Sequence, residues 1–165
     1  MRIIKHGGFT LIELIVVIAI IILMSGMSLA AYFRFGQRQA AMNDARNFAT
    51  EMRKVQAMAK NLVYPAGCAS RLERYRLKAD CVGEGCTTMT TSAICSGVEI
   101  LVKANEEVLT KVFFTDTVDV YFGAGTGAIS QVGEFPIQNS NDPYTVVVKT
   151  DANGNISIKE YETYP

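Results

Sequence analysis

The residues with the most chemical consequence stand at the start of the chain, MRIIKHGGFTLIELIVVIAIIILM. Glu13 is the one charge between Phe9 and Phe33. A carboxylate inside so apolar a run is costly. Insertion scales put an acidic residue at mid-bilayer at about 2.5–3.5 kcal/mol, and less near one end of the run, where Glu13 sits. Such a group persists where it gains a positive partner. A cut after Gly8 would supply one, because the new α-amine on Phe9 is cationic near neutral pH. Phe9 and Glu13 are four positions apart, about 6 Å along a helix. The amine could therefore pair with its own Glu13 or with Glu13 of a neighbouring copy. In a dry helix bundle the second arrangement sets axial register. A buried pair need not add net stability, but breaking one is expensive.

The second group with chemical potential is Cys68, Cys81, Cys86 and Cys95. No CxxC pair occurs among them, which argues against a structural zinc site. No metal ligands are expected. Their clustering in a short domain points to two disulfides and hence to a compartment outside the cytosol. Four reduced, buried thiols are the alternative, and the spacing leaves all three connectivities open. Elsewhere the signals for chemistry are thin. GAGTG at 123–127 has no following Lys and no helix pattern, so it reads as a sheet turn rather than a phosphate loop. DANGN at 151–155 is too short for a calcium loop and reads as a hairpin turn. The only histidine, His6, lies before the proposed cut, which removes a His-assisted nucleophile. Glu106-Glu107 reads as a solvated hairpin tip. No catalytic residue and no cofactor is expected, and the chain reads as a non-enzyme.

These residues must be positioned by a small number of elements. From Phe9 to Phe33 the chain is long enough, as helix, to cross a hydrocarbon core of about 30 Å. A secretory signal peptide fits poorly, because Glu13 falls inside its apolar region and Gly7-Gly8 precede the run instead of following it. Beyond Phe33, apolar positions Ala41, Ala45, Phe48, Met52, Val55, Ala59 and Leu62 recur at alternating spacings of four and three. That is one stripe of a continuous helix, with Arg38, Arg46, Arg53, Lys54 and Lys60 mostly off it. Ser25-Gly26 and Gly36 are possible soft points, and Pro65 with Gly67 closes the helix. Residues 66–97 read as irregular, with a strand or strap at RYRLKADC. From residue 98 the pattern is β: VEILVKANEEVLTKVFF, VDVYFGAGTG and YTVVVKTDANGNISIKEYE supply four or five antiparallel strands. The expected fold class is α+β: a long N-terminal helix, transmembrane in its first half and amphipathic in its second, packed on a small antiparallel sheet.

The formal net charge of zero hides a split. Residues 34–64 hold six Lys/Arg against two Asp/Glu, and residues 65–165 hold eight against thirteen. The basic stretch is too sparse for a nucleic-acid patch, and none is expected as a partner.

GGFTLIELIVVIAII resembles the leader junction of the type IV pilin and type II secretion pseudopilin superfamily. The match combines a basic leader, Gly8-Phe9, Thr10-Leu11, Glu13 and the apolar run. The resemblance implies cleavage between Gly8 and Phe9 by a prepilin peptidase, N-methylation of Phe9, and a role for Glu13 in neutralising the amine of an adjacent subunit. ARNFATEMRKVQAMAK also resembles the pseudopilins. The order of long helix, variable loop and closing YTVVV…NGNISI hairpin is similar to H-type pseudopilins and minor-pilin relatives. The implied organisation is a leader at 1–8, a transmembrane or filament-core helix at 9–33 and an amphipathic helix at 34–64. A type IV pilin-like head follows at 65–165, with a Cys-rich variable part at 66–97 and sheet at 98–165. The implied partners are copies of the chain, other pilins or pseudopilins, the peptidase/methyltransferase, an inner-membrane assembly platform and, before assembly, the lipid bilayer. The implied location is the cytoplasmic (inner) membrane, single-pass with the head outside, and then a periplasmic pseudopilus or extracellular filament. A membrane-tethered binding module that never polymerises, or a minor pilin for adhesion or DNA uptake, are the competing readings.

Overall fold

A computed structural model describes residues 9–79, 86–130, 132–139, 142–151 and 153–161, with residues 25–31 and 142–143 described by backbone alone. Gly8 and Cys81 lie outside the described residues. The chain divides into two compact units, Met1–Gly36 and Gln37–Pro165.

One helix, α1 (Leu11–Lys60), spans 50 residues and runs through both units. In the first unit its described large apolar side chains are exposed, from Leu11 at 77% to Val17 at 44%. Its start is set by Thr10 and its end by a Schellman motif. Val63 N donates to Met58 O at 3.0 Å and Leu62 N to Ala59 O at 3.2 Å, which satisfies two terminal carbonyls. Leu62 takes the left-handed position with φ +53°. Glycine is the usual residue there, because a Cβ clashes with the following carbonyl.

Between Ala41 and Ala59 the helix buries Ala41, Ala45, Phe48, Met52, Val55 and Ala59. Leu62, the last residue of the expected stripe, is instead 47% exposed, because the turn at the helix end takes it off that face. The alanines of this face are fully buried in the core, and Phe48 fills the middle. Its ring meets Phe114 edge-on at 5.1 Å and Phe135 at 6.1 Å.

The strands form two antiparallel sheets of four. The first contains β1 (Leu72–Ala79), β2 (Thr88–Cys95), β3 (Val98–Glu107) and β5 (Val118–Gly123), in the order β3-β2-β1-β5. The second contains β4 (Phe113–Phe114), β6 (Gly133–Asn139), β7 (Asp142–Thr150) and β8 (Ile156–Tyr161), in the order β4-β6-β7-β8. Alternation sets their faces. In β5, Val118, Val120 and Phe122 are buried while Asp119 and Tyr121 face outward. Tyr75, Leu77, Phe114, Ile137, Val146 and Val148 join the helix residues in one core.

The structure corrects the expected fold class on two counts. Among the described residues, no helix is long and apolar enough to cross a membrane. The stretch free of polar and charged residues, Leu14–Met24, rises about 16 Å as helix, short of a hydrocarbon core of about 30 Å. Ser25, Gly26 and Ser28 interrupt the run beyond it. The transmembrane first half of the helix is therefore overturned. The single-pass inner-membrane location falls with it. The second correction concerns the sheet. The expected small sheet over 98–165 is two sheets, and half of the first lies in the stretch 66–97: β1, where a strand or strap was expected at RYRLKADC, and β2, where irregular chain was expected.

Candidate functional site

The first candidate site is the start of α1. Thr10 N donates to Glu13 Oε2 at 3.4 Å and Thr10 Oγ1 donates to the same oxygen at 3.3 Å. In return Glu13 N donates to Thr10 Oγ1 at 3.4 Å. This reciprocal pattern is a capping box, with Thr10 at the N-cap and Glu13 three residues on. The carboxylate also lies at the positive end of the helix dipole. Glu13 thus has a local partner, its own chain's first helical turn, which the reading for an amine partner missed. The signal was present as Thr-x-x-Glu at the head of an apolar run. Phe9 stands beside the box and is 77% exposed. Gly8, the other residue of the expected cut, is outside the described residues.

The cysteines form the second group. Cys68 and Cys95 are joined by a disulfide with a Cα separation of 5.9 Å, which ties the segment after the helix to the end of β2. Cys86 is disulfide-bonded as well. Cys81 lies outside the described residues. No group of three or more metal-ligating side chains occurs among the described residues.

Sequence reasoning passed over three polar anchors. Asp44 is 3% exposed in the middle of the helix. Its Oδ2 accepts from Thr110 N at 2.8 Å and Lys111 N at 2.7 Å, and its Oδ1 accepts from the Thr110 hydroxyl at 3.0 Å. The loop that carries the chain from β3 to β4 is pinned to the helix there. Gln56 donates through Nε2 to Gly127 O at 3.0 Å and Gly154 O at 2.9 Å, so two glycine turns rest on one amide. A Cβ at Gly154 would lie 2.9 Å from that nitrogen, and φ there is +80°, so the turn needs glycine on both grounds. Arg53 donates to Ile156 O at 2.8 Å and holds the start of β8. None of these carries a sequence pattern, because each partner is far along the chain.

On the outer face of the first sheet, Arg76 makes a two-pronged contact with Asp119, Nε to Oδ1 at 2.8 Å and Nη2 to Oδ2 at 2.7 Å. This bond holds the Asp119 carboxyl below its ordinary value and pushes the Arg76 guanidinium up. Glu99 is also held low, first by the Ser92 hydroxyl and then by Arg76. The guanidiniums of Arg74 and Arg76 lie 5.1 and 5.3 Å from the Tyr121 ring centre. Every charge in this array is engaged by a neighbour, which is the arrangement of a braced sheet surface.

Residues 4–29 match the family described as the prokaryotic N-terminal methylation motif. A prepilin-type cleavage and methylation motif is therefore present, and it implies interaction with a peptidase/methyltransferase system. The match falls on the same segment as the capping box and the exposed apolar turns. No curated protein and no solved structure matches the chain.

Proposed function

We propose that this protein is a structural subunit of a type IV pilus-like filament or type II secretion pseudopilus. It assembles through its N-terminal helix after removal of residues 1–8. The observation that carries the reading is the exposure of the helix start. Phe9, Leu11, Ile12, Leu14, Ile15, Val16, Val17, Ile18 and Ile20 to Met24 are each 44–77% exposed. A helix that is apolar all round is buried in something. The methylation motif on the same residues supports other copies of this chain, or related pilins, as the cover. In that setting Glu13 pairs with the Phe9 amine of a neighbour. The chain does no catalysis; the cleavage and methylation belong to the processing enzyme. Within the class, the β7–β8 hairpin over YTVVVKTDANGNISI and the preceding order of elements support an H-type pseudopilin or minor-pilin relative.

The capping box sharpens the test. Glutamine at the third helical position keeps an oxygen for Thr10 N and so preserves the box, whereas it removes the charge. Glu13→Gln and Glu13→Ala should both be processed to a chain beginning at Phe9, read by mass spectrometry. Both should give sparse filaments in sheared preparations. Wild-type filament yield from Glu13→Gln would show that position 13 supplies a helix cap and nothing more, and the amine pairing would be refuted.

A further inference from the structure

The last two turns of α1 form one wall of a polar groove of about 430 Å³, and the turns at Thr126–Ala128 and Asn153–Asn155 form the others. Arg53 and Lys60 bring two positive charges to it, and no carboxylate is among its lining residues. Asp151, in the same hairpin as Asn153–Asn155, is turned into its own turn. It accepts from Asn153 N at 2.9 Å, Asn155 N at 2.8 Å and Asn155 Nδ2 at 2.8 Å. Arg53 uses one N–H on Ile156 O, which leaves the rest of its fork for another acceptor. The floor is fixed, because Gln56 holds both glycine turns.

The opposite end of the head carries the complementary sign. Glu107 closes β3 opposite Thr88, and Asp116 follows β4. The chain beside each is tied to the segment Cys86–Thr88, next to Glu107 by Val108 N to Thr87 O at 2.9 Å and two residues before Asp116 by Phe114 N to Cys86 O at 3.2 Å. Both are exposed. Lys111 on the same loop offsets part of their charge, and Lys103 is occupied by Glu106 at 2.6 Å. Asp44 anchors this loop through Thr110 and Lys111. Asp44 and Lys60 are 16 residues apart on one helix, about 24 Å.

We infer that the Arg53–Lys60 groove receives the Glu107/Asp116 corner of a second copy of this chain. The inference rests on the filament reading and adds a second, head-to-head contact to it. A basic groove at one end and an acidic corner at the other make a contact between two different surfaces. Such a contact gives a ring where its rotation closes and an open helical filament where it does not, and the filament reading takes the second. It also accounts for the division of charge within a chain of zero net charge. Complementary patches of this kind fix register and partner choice more than raw affinity.

The test uses the full chain expressed with its processing enzyme, and the readout is filament yield after shearing. Lys60→Glu should lower the yield about tenfold, the scale of one misplaced charge at a close contact. Glu107→Lys should do the same, and the two changes in one chain should restore most of the yield. A denaturation midpoint for each variant identifies one that fails to fold, and Lys60→Gln then replaces it. Wild-type yield from Lys60→Glu, or a loss that Glu107→Lys does not repair, overturns the inference. Absence of filaments from the wild-type chain would instead overturn the filament reading.

Discussion

The Asp44 anchor makes the most demanding stability prediction. Asp44 is 3% exposed and accepts three hydrogen bonds, two of them from backbone N–H groups. Hydrogen bonds to a charged group contribute about 1.5–3 kcal/mol each, and a buried donor left without a partner costs about 1–3 kcal/mol. Summing three such values overcounts, because water reaches a loosened loop. Asp44→Ala should therefore cost about 3 kcal/mol, a large share of a total of about 5–15 kcal/mol. Asp44→Asn should behave differently. Its carbonyl oxygen can take the place of Oδ2 and accept from both Thr110 N and Lys111 N. Its amide nitrogen then faces the Thr110 hydroxyl, which can turn to accept. Only the charge assistance is lost, about 1 kcal/mol. Adding Thr110→Val to Asp44→Asn removes that acceptor and should bring the loss back toward the alanine value. The assay is chemical denaturation of the oxidised full chain, with a shift in midpoint at constant slope. An asparagine variant as unstable as alanine, or an alanine variant within about 1 kcal/mol of wild type, would refute the account of the anchor.

Two further outcomes follow from local geometry. Leu62→Gly should raise stability by about 0.5 kcal/mol, because relief of a left-handed leucine, about 1–2 kcal/mol, exceeds the added freedom of glycine in the unfolded chain; a lower denaturation midpoint would contradict this. Asp119 and Glu99 have lowered folded-state values, so their contribution is present above the ordinary carboxylate value near 4 and disappears as pH falls through the folded values. The stability gap between wild type and Asp119→Asn should accordingly narrow on acidification below about pH 4, measured as midpoints across pH, and a gap that widens there would be evidence against the Arg76 pairing.

What could be read from the sequence divides along a physical line. The buried stripe from Ala41 to Ala59 was legible because helical period and burial are the same fact seen twice. The hairpin over Asp151–Asn155 was legible because its turn residues act on their own neighbours, and the Asp151 bonds span four residues or fewer. β2 was not legible. TMTTSAIC is polar enough to resemble a loop, yet threonine packs well on a pleated surface, and the strand is held between β1 and β3. Asp44 could not have been found at all, since its partners lie 66 and 67 residues away. The transmembrane expectation was drawn from the apolar length of residues 9–33, and among the described residues no helix is long and apolar enough to meet it.

Glu13 shows how two readings of one residue can both have force. Position 13 was read for its charge in an apolar setting, and the structure gives it a second occupation as the return arm of the Thr10 cap. A cap explains an acceptor at this position but is indifferent to whether Glu or Gln provides it. It also leaves the exposed apolar turns from Leu11 to Met24 without a cover. Pairing to an amine, as proposed above, would explain the charge and, through the neighbour that brings the amine, the cover as well. The two roles can operate in sequence, with the cap defining where the helix begins and the charge acting when another chain arrives. That ordering places the decisive evidence in the contrast between glutamate and glutamine, where hydrogen-bonding shape is kept and only the charge is withdrawn.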